Sequence, residues 1–419
     1  MTLRRFAVGL LLMVGALPGA SGAQNPLARM PEIRRAINAG DTAAAFALLD
    51  SLTAIAPDHP NLVFLRAHAN GRAQRFAEAR KDIMKLLRWD PRYARAALRD
   101  TNLSAVRRDF SAIDSLVALA ERPVSTGSVW VTIAERDLVP EGTAWDPATR
   151  SVLMGSLNKH KIVAISPDGS VTDRVAPGAS GLRSVVGIHV DTARGILWAA
   201  SNARYDTPAD STPSALFAFD ARSGAFKSRL GLPVGGKHFL NDVTTARDGT
   251  VYVTDSEGSV WHAPLGATQL RELTALGRVI APNGITISPD DRVLFVADAE
   301  AILALEIPTG RKWRVATPDS VSVAWIDGLA FADGALVAHH PLSFWRIARY
   351  QLDPTWRRIV GRELLEANSP DGRTSTTGEL VGGDYVFIGN SQIDRMNAKT
   401  IDAATMDPIR IYRVRLRSR

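Results

Sequence analysis

The chain of 419 residues contains no cysteine. That excludes disulfides, thiolate metal ligands and a cysteine nucleophile. No Gly-x-Ser-x-Gly elbow occurs either, so the sequence offers no covalent serine hydrolase. Long apolar runs are absent except from Phe6 to Leu17, which follows Arg4 and Arg5 and precedes the small-residue pattern Ser21-Gly22-Ala23. Residues 1–23 therefore read as a secretory signal, and no other stretch is long and apolar enough to span a bilayer. The expected location is periplasmic or secreted. Aromatics are few, at 7%, and the basic residues behind a net charge of +7 are spread along the chain without interleaved aromatics. No nucleic-acid surface is expected.

Residues 24–123 are poor in glycine and rich in Ala, Leu and Arg at helical spacing. Pro57 and Pro91, Ala45 and Ala79, and Phe76 and Phe110 stand 34 residues apart. The period resembles tetratricopeptide repeats, with two units and a degenerate third. Such a helical domain would either hold a protein partner or cap the domain C-terminal to it.

From residue 124 the pattern changes to short apolar runs separated by turn formers such as Pro289-Asp290-Asp291-Arg292. The second run of each unit ends near Gly155, Ala200, Thr254, Ala297, Ala338 and Gly389. A recurrence of about 40–50 residues is the signature of propeller blades. The expected fold is thus an all-β six-bladed β-propeller over 124–419, behind an N-terminal α-helical repeat domain. Arg413, Arg415, Arg417 and Arg419 alternate with Val414 and Leu416, as in an edge strand that closes the ring beside Val129 to Ile133.

Equivalent starts of the six inner strands are Glu141, Val186, Asn241, Asn283, Asp327 and Thr377. Ring closure would gather them at one mouth of the central channel. Two carboxylates and two amides meeting there suit a hard cation, Ca²⁺ first, with Mg²⁺ or Mn²⁺ as alternatives. Few protein ligands would leave room for water and a substrate oxygen, and Asp327 could accept a proton from that water.

Pro140-Glu141-Gly142-Thr143, Asn241-Asp242, Pro282-Asn283-Gly284 and Ile326-Asp327-Gly328 occur in an order that resembles the senescence-marker-protein/gluconolactonase/luciferin-regenerating-enzyme family, and more distantly the paraoxonases. The resemblance covers roughly residues 125–400. It implies a divalent cation held by Glu141, Asn283 and Asp327, with Asn241 as a further ligand or substrate contact and Asp327 as the base. It also implies a small-molecule lactone or ester substrate. One departure matters. Phe239 stands where the family usually carries an arginine for polyhydroxylated substrates, with Lys237 and His238 just upstream. His238 and His189 are further candidate substrate contacts. The alternative reading is a binding protein whose metal only stiffens the channel.

Overall fold

The computed structural model describes residues 25–203, 213–233, 236–341, 344–369, 375–397 and 401–416. The signal reading for residues 1–23 lies outside the described residues. Helices come first: α1 (Met30–Ala39), α2 (Thr42–Thr53), α3 (Pro60–Arg72), α4 (Phe76–Trp89) and α5 (Pro91–Ala97), then α6 (Ser104–Arg107) and α7 (Ile113–Ala120). Their boundaries reflect local chemistry. Gly40, at φ 79°, ends α1 in a left-handed turn, and the Asp41 side chain accepts the Ala44 N–H at 3.0 Å to start α2. Proline opens α3 and α5, where a missing N–H costs nothing. Ala45 and Ala79 are fully buried at matching places in α2 and α4, small enough to let the helices approach.

Six four-stranded antiparallel units come next, in the order expected for propeller blades. Their inner strands are Pro140–Asp146, Ser184–Asp191, Leu240–Thr245, Ile285–Ile287, Leu329–Ala332 and Gly378–Val381. Each inner strand touches the next in sequence, and the sixth touches the first. The ring is closed. Its last blade is composite: Ile409–Arg415 pairs on one side with Asp384–Ile388 and on the other with Ser128–Ile133. Both termini of the propeller therefore meet in one sheet, but the arginine-rich tail strand is paired on both sides and is not the edge expected; Ser128–Ile133 takes the outer place. A second early segment, Val124–Ser125, adds an edge strand to blade five.

Apolar layers between the blades form the core. One cluster joins Phe295, Leu329, Phe331 and Tyr350 between blades four and five, and another joins Leu153, Ile162, Leu197 and Phe217 between blades one and two. Strands buried on both faces lose the clean period-two alternation, which is why the inner runs read as nearly continuous apolar stretches.

Candidate functional site: one mouth of the central channel

In five blades the loop that delivers the inner strand is held by a polar residue at the end of the neighbouring strand. The Ser156 hydroxyl donates to the Leu138 carbonyl, Ser201 accepts the Arg183 N–H, Asp255 accepts the Phe239 N–H, and Asp298 accepts the Ile280 N–H. In blade five the corresponding latch is His340, whose Nδ1 faces the Ala324 carbonyl at 3.1 Å. Adjacent blades are then clasped at the mouth. Thr376 donates to the Glu141 carbonyl at 3.0 Å and Thr254 donates to the Asn283 carbonyl at 2.6 Å.

These clasps converge the predicted residues. Asn283 Nδ2 donates to Asp327 Oδ1 at 2.6 Å, across the seam between blades four and five. Glu141 is buried, and its carboxyl lies well above the usual range because of burial and the charges of Asp327 and Asp242. Burial likewise raises the Asp327 carboxyl, against the hydrogen bond from Asn283. Asn241 Nδ2 donates to Ser256 Oγ at 3.0 Å, and that hydroxyl donates to the Pro282 carbonyl beside Asn283. Val186 and Thr377 complete the ring. Gathering requires the inner strands to come unusually close. A Cβ on Gly142 would collide with the Val186 carbonyl, and one on Gly284 with the Asp327 carbonyl. The residue after the ring position is glycine in five blades and aspartate, Asp242, in the third.

That exception opens onto a cavity of about 100 Å³ below the ring, lined by Thr143, His189, Asp242, Thr286, Thr377 and Glu379 among others. Burial pushes Asp242 and Glu379 each up to about 7. Both touch the cavity and are half-buried. Thr143 Oγ1 is buried without a hydrogen-bond partner among the described residues. His189 lies in this lower chamber, and burial lowers its pKa to about 4, so it is neutral. His238 lies elsewhere. Its Nδ1 meets Asp255 Oδ2 at 2.6 Å, and its ring packs edge-on against Trp261 at 5.5 Å. The same Asp255 carboxylate accepts the Trp261 indole N–H at 3.1 Å. This is the blade-three latch with an imidazole added, and His238 is not among the cavity-lining residues.

The sequence reading missed Asp242, Glu379 and Thr143. Asp242 had a signal, as the lone side chain in a column of glycines. Glu379 had none, because an exposed strand and a channel-facing strand look alike in sequence.

Would these oxygens suit a cation? Among the described residues, no cluster of three or more His, Cys, Asp or Glu side chains gathers at metal-holding spacing. The donor set here mixes acids with amides. Among the described residues, the Glu141 carboxylate and the Asn241 and Asn283 side-chain carbonyl oxygens accept no hydrogen bond, and two repelling carboxyls share the space. Unengaged oxygens around repelling carboxyls fit a hard divalent cation. A further regularity marks three of the six positions. Val139, Ala281 and Trp325 stand two residues ahead of Glu141, Asn283 and Asp327, with φ of 46°, 45° and 58°. The equivalent Ser184, Phe239 and Ser375 have no positive φ. Left-handed backbone at non-glycine residues costs roughly 1–3 kcal/mol each and concentrates at functional sites.

No family model matches the chain, and no curated protein does. Solved structures do. A gluconolactonase from Xanthomonas campestris aligns at 18% identity over 70% of this chain and 91% of its own, with a TM-score of 0.48. Regucalcin from Agrobacterium tumefaciens, a calcium-binding protein, aligns at 16% over 70% and 95%, also at 0.48. Virginiamycin B lyase from Staphylococcus aureus aligns at 16% over 61% and 79%, at 0.43. Gluconolactonase- and regucalcin-type propellers are thus among the scaffolds this chain resembles, in line with its motifs. Chemistry must be argued from the site, not from the scaffold.

Proposed function

We propose that this protein is an exported hydrolase of a lactone or related ester that works with one divalent cation, calcium foremost. The observation that carries this reading is the meeting of Glu141, Asn283 and Asp327 at the starts of three inner strands, each entered through a left-handed residue. Glu141, Asn283 and Asp327 would hold the cation, with Asn241 as a fourth oxygen. A cation so held supplies Lewis acidity toward a carbonyl oxygen. Asp327, as a carboxylate beside that site, would take a proton from water as the water oxygen bonds to the carbonyl carbon. The same carboxyl returns the proton to the ring oxygen when the C–O bond breaks, releasing a hydroxy acid.

The substrate class can be narrowed. Phe239 is buried among Val139, Leu157, Val186 and Met406 at the mouth, so the position gives neither charge nor hydrogen bond to a ligand. A lactone poorer in hydroxyls than a sugar lactone suits this wall better. Hydrolysis of aliphatic, aromatic and sugar lactones by the mature protein, with calcium and with chelator, tests the proposal. Chelator-sensitive turnover that disappears in Asp327→Asn supports it. Cation binding without turnover on any lactone defeats it.

A second reading has its own observation. A groove of about 800 Å³ runs along α1, α3 and α5, lined by Arg34, Arg72 and Arg99 over Ile37, Phe64 and Leu65. If the helices are tetratricopeptide-like repeats that hold a partner, this face would receive it. The channel cation would then be structural.

A further inference from the structure

Why should a channel enzyme carry a helical segment at all? We propose that the N-terminal helices are a positioning part of the channel site, clamping the two segments that deliver Asn283 and Asp327. This rests on the reading of those residues as cation ligands.

Three strained residues precede the three candidate ligands, but different parts of the molecule hold them. Val139 is fully buried by propeller residues alone, Leu157, Val186, Phe239 and Met406. Ala281 and its neighbour Ile280 instead belong to the core of the helical segment, together with Leu27, Met30, Ile33, Leu62 and Leu65. Ala299 lies in the same core and links the two segments. Its N–H donates to the Ile280 carbonyl at 2.9 Å, and its carbonyl accepts the Trp325 N–H at 3.2 Å. The third strained residue, Trp325, meets the ring of His59 edge-on at 5.0 Å.

His59 stands at the start of α3 and is 0% exposed. Neither ring nitrogen has a hydrogen-bond partner among the described residues. Burial holds it neutral. An imidazole so placed contributes shape rather than hydrogen bonds, and the shape it fills is the back of Trp325. Polar contacts fix the rim of the same junction. The Asp58 N–H donates to Glu300 Oε2 at 2.8 Å, Arg314 pairs with both Glu300 and Asp58, and Lys85 reaches Asp58 at 2.7 Å. A left-handed tryptophan persists only where its surroundings over-determine it. Here the surroundings are α3 and its flanking loop. The helices therefore hold the Asn283–Asp327 pair, while Glu141 and Asn241 depend on the propeller itself.

The test uses the full mature chain and calcium alone. Calorimetric titration of His59→Ala should show calcium affinity weakened about tenfold, the scale expected when a residue behind a ligand is lost. Amide exchange should quicken at 279–285 and 323–329 and stay unchanged at 137–143. His59→Phe, which keeps the edge-on ring without nitrogens, should bind as the wild type does. Should the cavity left by alanine unfold the chain, Arg314→Gln loosens the same junction from its exposed rim and should weaken binding in the same direction. Unchanged affinity in both loosened variants overturns the proposal, as does quickening at 137–143 equal to that at the other two segments. If the wild type binds no calcium, the ligand reading has failed and this inference goes with it. If the wild type binds and the variants bind equally, only the clamp has failed.

Discussion

Blades one, four and five differ from blades two, three and six at one structural position. The first group brings Glu141, Asn283 and Asp327 to the mouth behind a left-handed residue, whereas the second brings Val186, Asn241 and Thr377 there behind residues without a positive φ. Equivalent residues of a repeat fold need not share local geometry. Evenly spaced strands would place six side chains at similar depth. A left-handed step two residues earlier re-aims the chain, and it does so only where a candidate ligand must converge with two others. Asn241 belongs to the second group, so its place in the ligand set is the weakest of the four by geometry.

The largest test of this division is to neutralise the acids of the first group. Glu141→Gln combined with Asp327→Asn should reduce calcium affinity by about 100-fold or more in a calorimetric titration, since both charged donors are lost. The metal-free melting temperature should rise above pH 7, because the cost of ionising two buried carboxyls disappears with them. A next step separates the two amides. Asn283→Ala should weaken calcium binding about tenfold, while Asn241→Ala should act mainly on KM. Equal losses of affinity would erase the distinction between the two groups of blades.

The pH dependence sharpens it further. Carboxyls raised in the fold keep their protons above the unfolded-state values. The metal-free protein therefore loses stability as pH climbs from the ordinary range of 3.8 to 4.5 toward about 7 at Asp242, Glu379 and Asp327. Histidines buried neutral, such as His59, His189 and His339, contribute with the opposite sign as they leave the acid range. Their share is present with and without calcium, so it cancels in the difference. The increase in melting temperature on adding calcium should be small at pH 5, grow through pH 7 and level off above it. An increment independent of pH would place the cation away from these carboxyls. The smallest effect concerns the backbone. Ala281→Gly should be neutral or stabilising by up to about 1 kcal/mol, and Ala299→Gly, whose φ is not positive, destabilising by about 1 kcal/mol. Chemical denaturation of both variants would measure the contrast.

Much of the fold was legible. The blade period, the hairpin turns, the closing tail strand and the four oxygen-bearing ring residues can each be read because they are local or repeat. His339 and His340 are adjacent on one strand and so face opposite ways, and each is buried and hydrogen-bonded, to Ser375 and Tyr385 on one side and to Ala324 and Tyr350 on the other. The partners of His238 were not legible, because Asp255 lies 17 residues away and draws the imidazole onto Trp261.

By itself the sequence determined the repeat, the register that puts Glu141, Asn241, Asn283 and Asp327 in equivalent places, and the absence of any covalent nucleophile of the elbow or thiol kind. Those properties reside in spacing and residue type, which folding does not alter. Only the tertiary structure decided that Asp242 and Glu379 share a cavity, that burial raises the Glu141 and Asp327 carboxyls, and that helices far upstream press on the loops carrying Asn283 and Asp327. These depend on distances between segments remote in the chain, and such distances exist only once the ring has closed and the helices have docked on it.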